Sequence, residues 1–503
     1  MNLGIGTWPA RRVMVRPDAT AVVFEGRSVS YRDFELRVRK LANALRDSGV
    51  EHGDRVAYMG FNHPSLLETF FATGLLGAAA VLINPRLRRA EVDYILRDCG
   101  ATTVAFGRDQ GANATVLEPE LTDVRTWLSV DGEGPGQDYE AFLQSGGEAA
   151  VDEQLDLDEL ALIMYTSGTT GKPKGAMLTH NNLFYQYVNA MIGQDLRQDE
   201  VHLAVAPLFH IAGLNMMTLP TFMLGGTIII HRQFRAVDVL RELEDSRVTS
   251  SFMVPAMLDS LSHTEGFDTA DFSSVRAFMV GGSPLPERML RTWAELDVAV
   301  MQGFGMTETA PGVRMLEPRD GVVKLGSAGR QHFFTESGLV DPLGDPVAPG
   351  QAGEVIVRGP NVMAGYWNKP EETAKALDGG WYHSGDIAVE DEDGYLFIKD
   401  RIKDMYISGG ENVYPAEVEN ALLDVSGVQE AAVIGVPDEK WGETGRAFVV
   451  LFPDTAGLTG PQIREHLQDR LASYKLPAVI DVVAELPRTT TGKIQKHVLR
   501  ERP

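Results

Sequence analysis

The sequence holds a single cysteine, Cys99. One cysteine makes no disulfide within the chain, so a reducing compartment fits. Cys99 lies in ILRDCGATTVAF, just before a strand-like run. It reads as a small buried hydrophobe, not a nucleophile. Basic residues are also scarce. There are 46 Lys and Arg against 70 Asp and Glu, a formal charge of −24. That field disfavours polyanions, so nucleic acid and anionic membranes are not expected partners. A phosphate ligand must then be held by local donors. No long hydrophobic run is present: residues 70–85 and 216–230 are the most apolar, and each is too short or broken by Gly and Pro for a transmembrane helix. The opening MNLGIGTWPARRVMVRP lacks the apolar centre of a signal peptide, and a cytoplasmic location is expected. No GxSxG supports a serine hydrolase, and the 11 histidines include no HExxH to support a zinc enzyme.

What is present is an ordinary globular composition, 44% hydrophobic and 23% charged, over 503 residues. That length is too great for one core. Strand-like and helix-like runs alternate. SVSYRDFELRVRKLANALRDSGV reads as a capped amphipathic helix with a glycine stop, DRVAYMGF as a buried strand, SLLETFFATGLLGAA as a helix and VLINP as a strand. The rhythm returns in TTVAF, TIIIHRQF and AVDVLRELEDSRVTSSFMV and predicts an α/β fold with largely parallel sheets. Residues 130–155, acidic and Gly-rich, read as a surface connection. After Gly350 the texture changes to Gly, β-branched and aromatic residues with turns at DGG and DEDG, predicting antiparallel strands. A smaller α/β unit follows from Arg401 to Pro503. The expected division is residues 1–400 and residues 401–503.

The most informative segment is YTSGTTGKPKG at 165–175, with three glycines, four Ser/Thr hydroxyls and two lysines. Glycines let successive N–H groups turn into one concavity, hydroxyls add donors and lysines add charge, which together make a polyphosphate cradle. Pro173 follows Lys172 where a Walker A loop needs Ser or Thr. On composition alone a solvated Ser/Thr/Gly linker is the competing reading.

The full string resembles the signature loop of the acyl-adenylate-forming superfamily of acyl-CoA synthetases, luciferase-like enzymes and adenylation domains. Further motifs agree in order: APLFHIAGL (206–214), MVGGSPLP (279–286), MQGFGMTE (301–308), WYHSGDIA (381–388), IKDRIKDMYISGGENVYPAEVE (398–419), DEKWGE (438–443) and LPRTTTGKIQK (486–496). The resemblance spans about Ser30 to Lys496. It implies a large N-terminal domain of βαβ sheets with a small β-barrel-like subdomain, and a small mobile C-terminal α/β domain.

The resemblance also implies the site. Thr166, Ser167, Gly168, Thr169, Thr170, Gly171, Lys172 and Lys174 would cradle ATP phosphates. Gly281, Gly282 and Ser283 would meet the adenine, together with Gln302, Gly303, Phe304 and Gly305. Thr307 would contact the α-phosphate, and Glu308 with Thr166 would hold Mg²⁺, a hard cation suited to carboxylate and phosphate oxygens. His210 would stand beside the acyl pocket. Asp386 would accept from the ribose hydroxyls, and Arg401 would also meet the ribose. Lys403 takes the hinge position. Ser408, Gly409, Gly410 and Trp441 would line the coenzyme A path. Lys493 would bridge carboxylate and α-phosphate as charge shifts.

The implied reaction joins a carboxylic acid to ATP, giving acyl-AMP and pyrophosphate, and then transfers the acyl group to coenzyme A. The C-terminal domain would rotate about the hinge between the halves, exchanging Lys493 for the Gly409 side. The chain ends ten residues after Lys493 with no carrier domain, which favours free coenzyme A. The strings at 401–419 and 433–443 look most like bacterial medium- or long-chain fatty acyl-CoA ligases. Alternatives are an aryl-CoA ligase, an enzyme loading a carrier protein, and a non-catalytic nucleotide-binding protein. The segments 210–217, 252–257 and 303–311 should line the acyl pocket and are mostly apolar, which favours an uncharged tail. Arg314 lies just outside them.

Overall fold

The computed structural model describes the chain except residues 1, 133, 152, 167–172, 283, 284, 286, 318, 319, 321, 322, 402, 403, 409, 410, 439, 440, 454, 456, 469, 490–493 and 503, and the side chains of Glu287, Arg288, Arg401 and Asn412. Among the described residues four sheets carry the fold. In the eight-stranded sheet, Arg55–Met59 lies between Ala79–Ile83 and Thr103–Gly107, all parallel. These short Val/Ile/Ala/Phe runs are buried on both faces, which explains their unbroken apolar texture. The helix Tyr31–Asp47 packs nearby. Ser30 caps it by accepting from the Asp33 N–H, and Phe34, Val38, Leu41 and Leu45 face the core.

The nine-stranded sheet places Val201–Ala204, Ser250–Met253, Ala277–Val280 and Ala299–Gly305 side by side and parallel. Each is fed by a helix or turn, the connection that a parallel pair requires. The antiparallel strands expected after Gly350, Ala352–Arg358, Tyr382–Glu390 and Leu396–Arg401, form a four-stranded sheet together with Glu336–Val340, which precedes that point. The turns at DGG and DEDG use Gly379, Gly380 and Gly394 at positive φ. The last sheet joins Tyr406–Ser408, Glu411–Val413, Val428–Asp438, Gly442–Leu451 and Val479–Val482 around its own core of Val418, Leu422, Val433 and Val449.

One segment differs from expectation. Residues 130–155 are not merely a surface connection. They contain an edge strand, Gln137–Asp138, and a helix, Tyr139–Ser145, that buries Tyr139, Phe142 and Leu143. The Tyr139 hydroxyl donates to Glu68 at 2.9 Å, and Asp138 caps the helix through the Ala141 N–H. Three apolar side chains among many acids are enough when they point the same way. Cys99 is fully buried, as its setting suggested, and burial pushes its thiol up to about 12. Among the described residues no helix is long and apolar enough to cross a membrane.

Candidate active site

The glycine-rich loop begins where Leu160–Thr166 ends and returns as Lys174–Thr179. These two strands pair antiparallel, with Thr166 opposite Lys174. Ser167, Gly168, Thr169, Thr170, Gly171 and Lys172 lie outside the described residues. Lys174 forms an ion pair with Glu372 and stands over the Tyr366 ring at 5.3 Å. Its charge is thus already compensated by a carboxylate.

The turn Thr307–Thr309 carries Thr307 and Glu308. Asn361 Nδ2 donates to the Thr309 and Gly312 carbonyls, each at 2.8 Å, and the Met363 N–H donates to the Glu308 carbonyl at 2.9 Å. The turn is therefore held from outside by residues 361–363. Glu308 is buried, and Tyr366 donates to its Oε1 at 2.8 Å, with the Thr166 hydroxyl on the same oxygen at 3.4 Å. The structure so unites Glu308 and Thr166, the two residues expected at Mg²⁺. A carboxylate beside a hydroxyl at the mouth of a phosphate loop suits a hard cation that keeps phosphate oxygens as further ligands.

Tyr366 and Tyr382 were not foreseen. The phenol of Tyr366 is raised by burial and by Glu308. That of Tyr382 is raised by burial, by Glu308 and Tyr366, and by Asp386. Tyr382 is thus within electrostatic reach of both the expected metal carboxylate and the expected ribose carboxylate. Only the pairing of Tyr366 with Ala176, on the strand leaving the glycine loop, could have signalled its role.

Asp386 is buried, and its N–H donates to Ser384 Oγ at 3.1 Å. It pairs across the sheet with Arg401, so the two residues expected at the ribose are neighbours in register. Gln302 accepts from the Leu285 N–H at 3.2 Å and so ties its strand to the loop after Gly281 and Gly282. Gly282 has φ of 90°. A Cβ on Gly305 would lie 1.5 Å from the Pro311 carbonyl oxygen. That glycine answers a backbone approach, not only a ligand. Phe304, beside it, packs against the main core.

The acyl side is built from register. Phe252, Met279 and Met301 form one row across three parallel strands. Two residues back, Ser250, Ala277 and Ala299 form the next row on the same face. Gly281 and Gly303 continue the face at the other end, and a Cβ on Gly303 would lie 2.4 Å from Met279 Cε. His210 precedes the short helix Ile211–Gly213, its ring 4.6 Å from that of Phe209. Arg314 is buried but turned elsewhere. It donates to Ser337 Oγ at 2.8 Å and pairs with Glu390 at 2.6 Å.

In the C-terminal part, Ser408 is buried and pairs with Gly442, which places it beside Trp441. The Trp441 N–H donates to Asp438 at 2.8 Å. Gly409, Gly410, Lys403 and Lys493 lie outside the described residues. Arg488 and Ile494 form an antiparallel bridge, and the helix Lys496–Arg500 is anchored by Lys496 to Glu419 at 2.8 Å. Ser283 is likewise not described, and Arg401 only through its backbone.

The AMP-binding enzyme family matches residues 10–367, and its C-terminal domain matches residues 417–493. A feruloyl-CoA synthase of an Amycolatopsis species is 45% identical over 501 residues, covering 100% of this chain and 99% of its own. A long-chain-fatty-acid–CoA ligase of Mycobacterium tuberculosis is 37% identical, covering 99% of this chain and 98% of its own. The O-succinylbenzoate coenzyme A synthetase of Bacillus subtilis, solved with ATP and magnesium ion, superposes with a TM-score of 0.88 at 30% identity, over 98% of this chain and 99% of its own. The chain belongs to the AMP-binding enzyme family, within the acyl-adenylate-forming superfamily, and is an acid–thiol ligase.

Proposed function

We propose that this enzyme joins an uncharged aromatic carboxylic acid to coenzyme A. The acid attacks the α-phosphorus of ATP and pyrophosphate leaves. The coenzyme A thiolate then attacks the acyl carbonyl of the adenylate, and AMP leaves. The first step brings two anions together, so its catalysis is positioning and charge neutralisation. Lys172 and Lys493 supply positive charge, and Thr307 contacts the α-phosphate. Asp386 and Arg401 hold the ribose, and Gly281, Gly282 and Ser283 border the adenine. Glu308 and Thr166 would hold magnesium, which supplies neutralisation of the phosphate oxygens when bound. Tyr366, donating to Glu308, keeps that carboxylate aimed at the loop mouth. For the second step, Ser408, Gly409, Gly410 and Trp441 border the thiol path, and Lys403 is the hinge between residues 1–400 and 401–503.

The observation that carries the choice of acid is the Phe252–Met279–Met301 row, an apolar wall continuous with the glycine faces. Among the described residues of this wall no cation stands ready for a second carboxylate, since Arg314 is engaged with Glu390. The 45% identical feruloyl-CoA synthase supports a flat aromatic tail over the alkyl tail that the C-terminal strings suggested. An alkyl acid is the second reading, favoured by the pliable methionines and by the 37% identical fatty-acid ligase. Acid-dependent pyrophosphate release, measured over aromatic and aliphatic acids, tests the choice. A preference for decanoate over cinnamate would reverse it.

A further inference from the structure

The strand Tyr382–Glu390 does not pair evenly with its neighbour Ala352–Arg358. Ile356 stands opposite His383, and Glu354 opposite Ile387. Val355 alone therefore faces three residues, Ser384, Gly385 and Asp386. The extra residues make a bulge, a device that re-aims a side chain beside a site. The side chain here is Asp386, read above as the ribose acceptor. It is buried, and its backbone pairs on the other side with Arg401.

A bulge takes backbone groups out of the ladder, and each must find another partner. Two side chains supply them. Ser384 Oγ donates to the Val355 carbonyl at 2.7 Å and accepts from the Asp386 N–H at 3.1 Å. The Gly385 N–H donates to Glu354 Oε1 at 3.0 Å. Gly385 has φ of 71°, and a Cβ on it would meet nothing within 4 Å. The glycine thus answers the left-handed turn itself, not a crowded neighbour.

Glu354 is itself held in place. His383 Nδ1 lies 2.9 Å from its Oε2, and a carboxylate only accepts, so the ring nitrogen is the donor. One carboxylate therefore grips two points of the neighbouring strand: His383, the last residue in regular register, and Gly385, inside the bulge. The bonds of Ser384 reach Val355 and Asp386 but leave the Gly385 N–H to Glu354. Without Glu354 the residue just before Asp386 loses its tie to the sheet.

We propose that Glu354 is a positioning residue for the nucleotide: its carboxylate staples the bulge that presents Asp386 to the two ribose hydroxyls. Glu354 acts through Asp386, not on the nucleotide itself. Hydrogen bonds to an ionised acceptor are the strong ones, which suits them to fixing a short backbone segment. A carboxylate takes two hydroxyls at once only when both of its oxygens are aimed. The inference rests on the reading of Asp386 above and adds a residue that the reading does not contain.

The test is a one-pot competition of ATP with 2′-deoxy-ATP, with magnesium, coenzyme A and a mixture of cinnamate and decanoate. Mass spectrometry reads AMP against deoxy-AMP, and the two thioesters against each other. The wild-type enzyme should favour ATP by about tenfold or more, the worth of one hydrogen bond to a charged group. Glu354→Ala should bring that ratio below about threefold, whereas Glu354→Gln, which keeps an acceptor for Gly385, should stay within about threefold of wild type. His383→Leu, which leaves Glu354 present but unheld, should fall between them and carries the test if Glu354→Ala yields no product. The thioester ratio should not move in any variant. A ratio within one preparation does not depend on how much of a variant is folded. A nucleotide ratio untouched by Glu354→Ala and His383→Leu would overturn the staple and leave Asp386 at the ribose. Loss of the nucleotide and acid preferences together would make Glu354 a general support and overturn its positioning role, and a glutamine variant as poor as alanine would overturn the hydrogen-bond account. A wild-type nucleotide ratio near one would overturn the ribose reading of Asp386, and the staple with it. Thioester from neither acid would overturn the ligase reading as well.

Discussion

Gly303 and Gly305 sit two residues apart on one strand, yet the structure predicts opposite outcomes when each becomes alanine. On Gly305 the new Cβ would lie 1.5 Å from the Pro311 oxygen and 2.6 Å from its carbonyl carbon. Both atoms are backbone and neither has a rotamer to escape into. The Gly305–Gly312 pairing must open, and with it the hydrogen bond from the Met306 N–H to the Pro311 carbonyl, now 3.0 Å. One lost hydrogen bond plus overpacking amounts to about 3 kcal/mol. At roughly 2–4 °C per kcal/mol that is a Tm lower by about 6–12 °C. On Gly303 the new Cβ would meet Met279 Cε at 2.4 Å, the free end of a flexible side chain, and the Arg314 carbonyl oxygen at 3.4 Å, an ordinary contact. Swinging the methionine aside costs about 0.5–1.5 kcal/mol, so Tm should fall by only about 1–6 °C, half or less of the loss at Gly305. The penalty there should fall on acid binding, as a raised KM for the longer acids. Thermal unfolding of both variants, with acyl-adenylate kinetics on Gly303→Ala, measures this. Equal Tm losses, or a larger loss at Gly303, would refute the reasoning.

Other consequences follow from the same geometry. Glu308→Gln should lower acyl-adenylate formation by about 10²–10³-fold while preformed acyl-AMP and coenzyme A still give thioester. Equal loss of both half-reactions would remove Glu308 from the metal role. Lys493→Ala should show the same split, because its charge is needed only when two anions meet. His180, His202 and His332 are buried, and burial lowers each to about 4. Their folded pKa lies below the unfolded 6.5, so the unfolded chain binds more protons between those values. Stability is full above about pH 6.5 and falls toward pH 4 by roughly 1.4 kcal/mol per pH unit per histidine, readable as a shifting urea midpoint. A midpoint flat over that window would contradict their neutral burial. Cys99, with its thiol pushed up to about 12, should resist a thiol reagent at about pH 8 until the chain is unfolded.

The fold was legible where period and caps spoke together. Ser30 followed by an amphipathic run predicts the helix found at Tyr31–Asp47, and the runs at 54–61, 81–85 and 102–106 predict strands, found at Arg55–Met59, Ala79–Ile83 and Thr103–Gly107. The helix Tyr139–Ser145 was hidden because its apolar face is three residues among acids and glycines. The site was legible where a motif places its own residues, as with Thr307 and Glu308 on one turn. It was illegible where distant strands meet. Tyr366 reaches Glu308 only through the pairing of Gly365–Tyr366 with the strand Lys174–Thr179. Met279 faces Gly303 through strand order alone. Sequence spacing carries no information about such neighbours.

The central claim is that one chain makes an acyl-adenylate and passes it to coenzyme A. The most direct measurement incubates the protein with magnesium and ATP, with and without coenzyme A, over acids from acetate to long-chain acids together with benzoate, cinnamate and malonate. Mass spectrometry reads acyl-AMP and acyl-CoA in the same sample. The account predicts acyl-AMP from an uncharged acid without coenzyme A, replaced by the thioester when it is added. Acyl-AMP that persists undiminished in the presence of coenzyme A would contradict it.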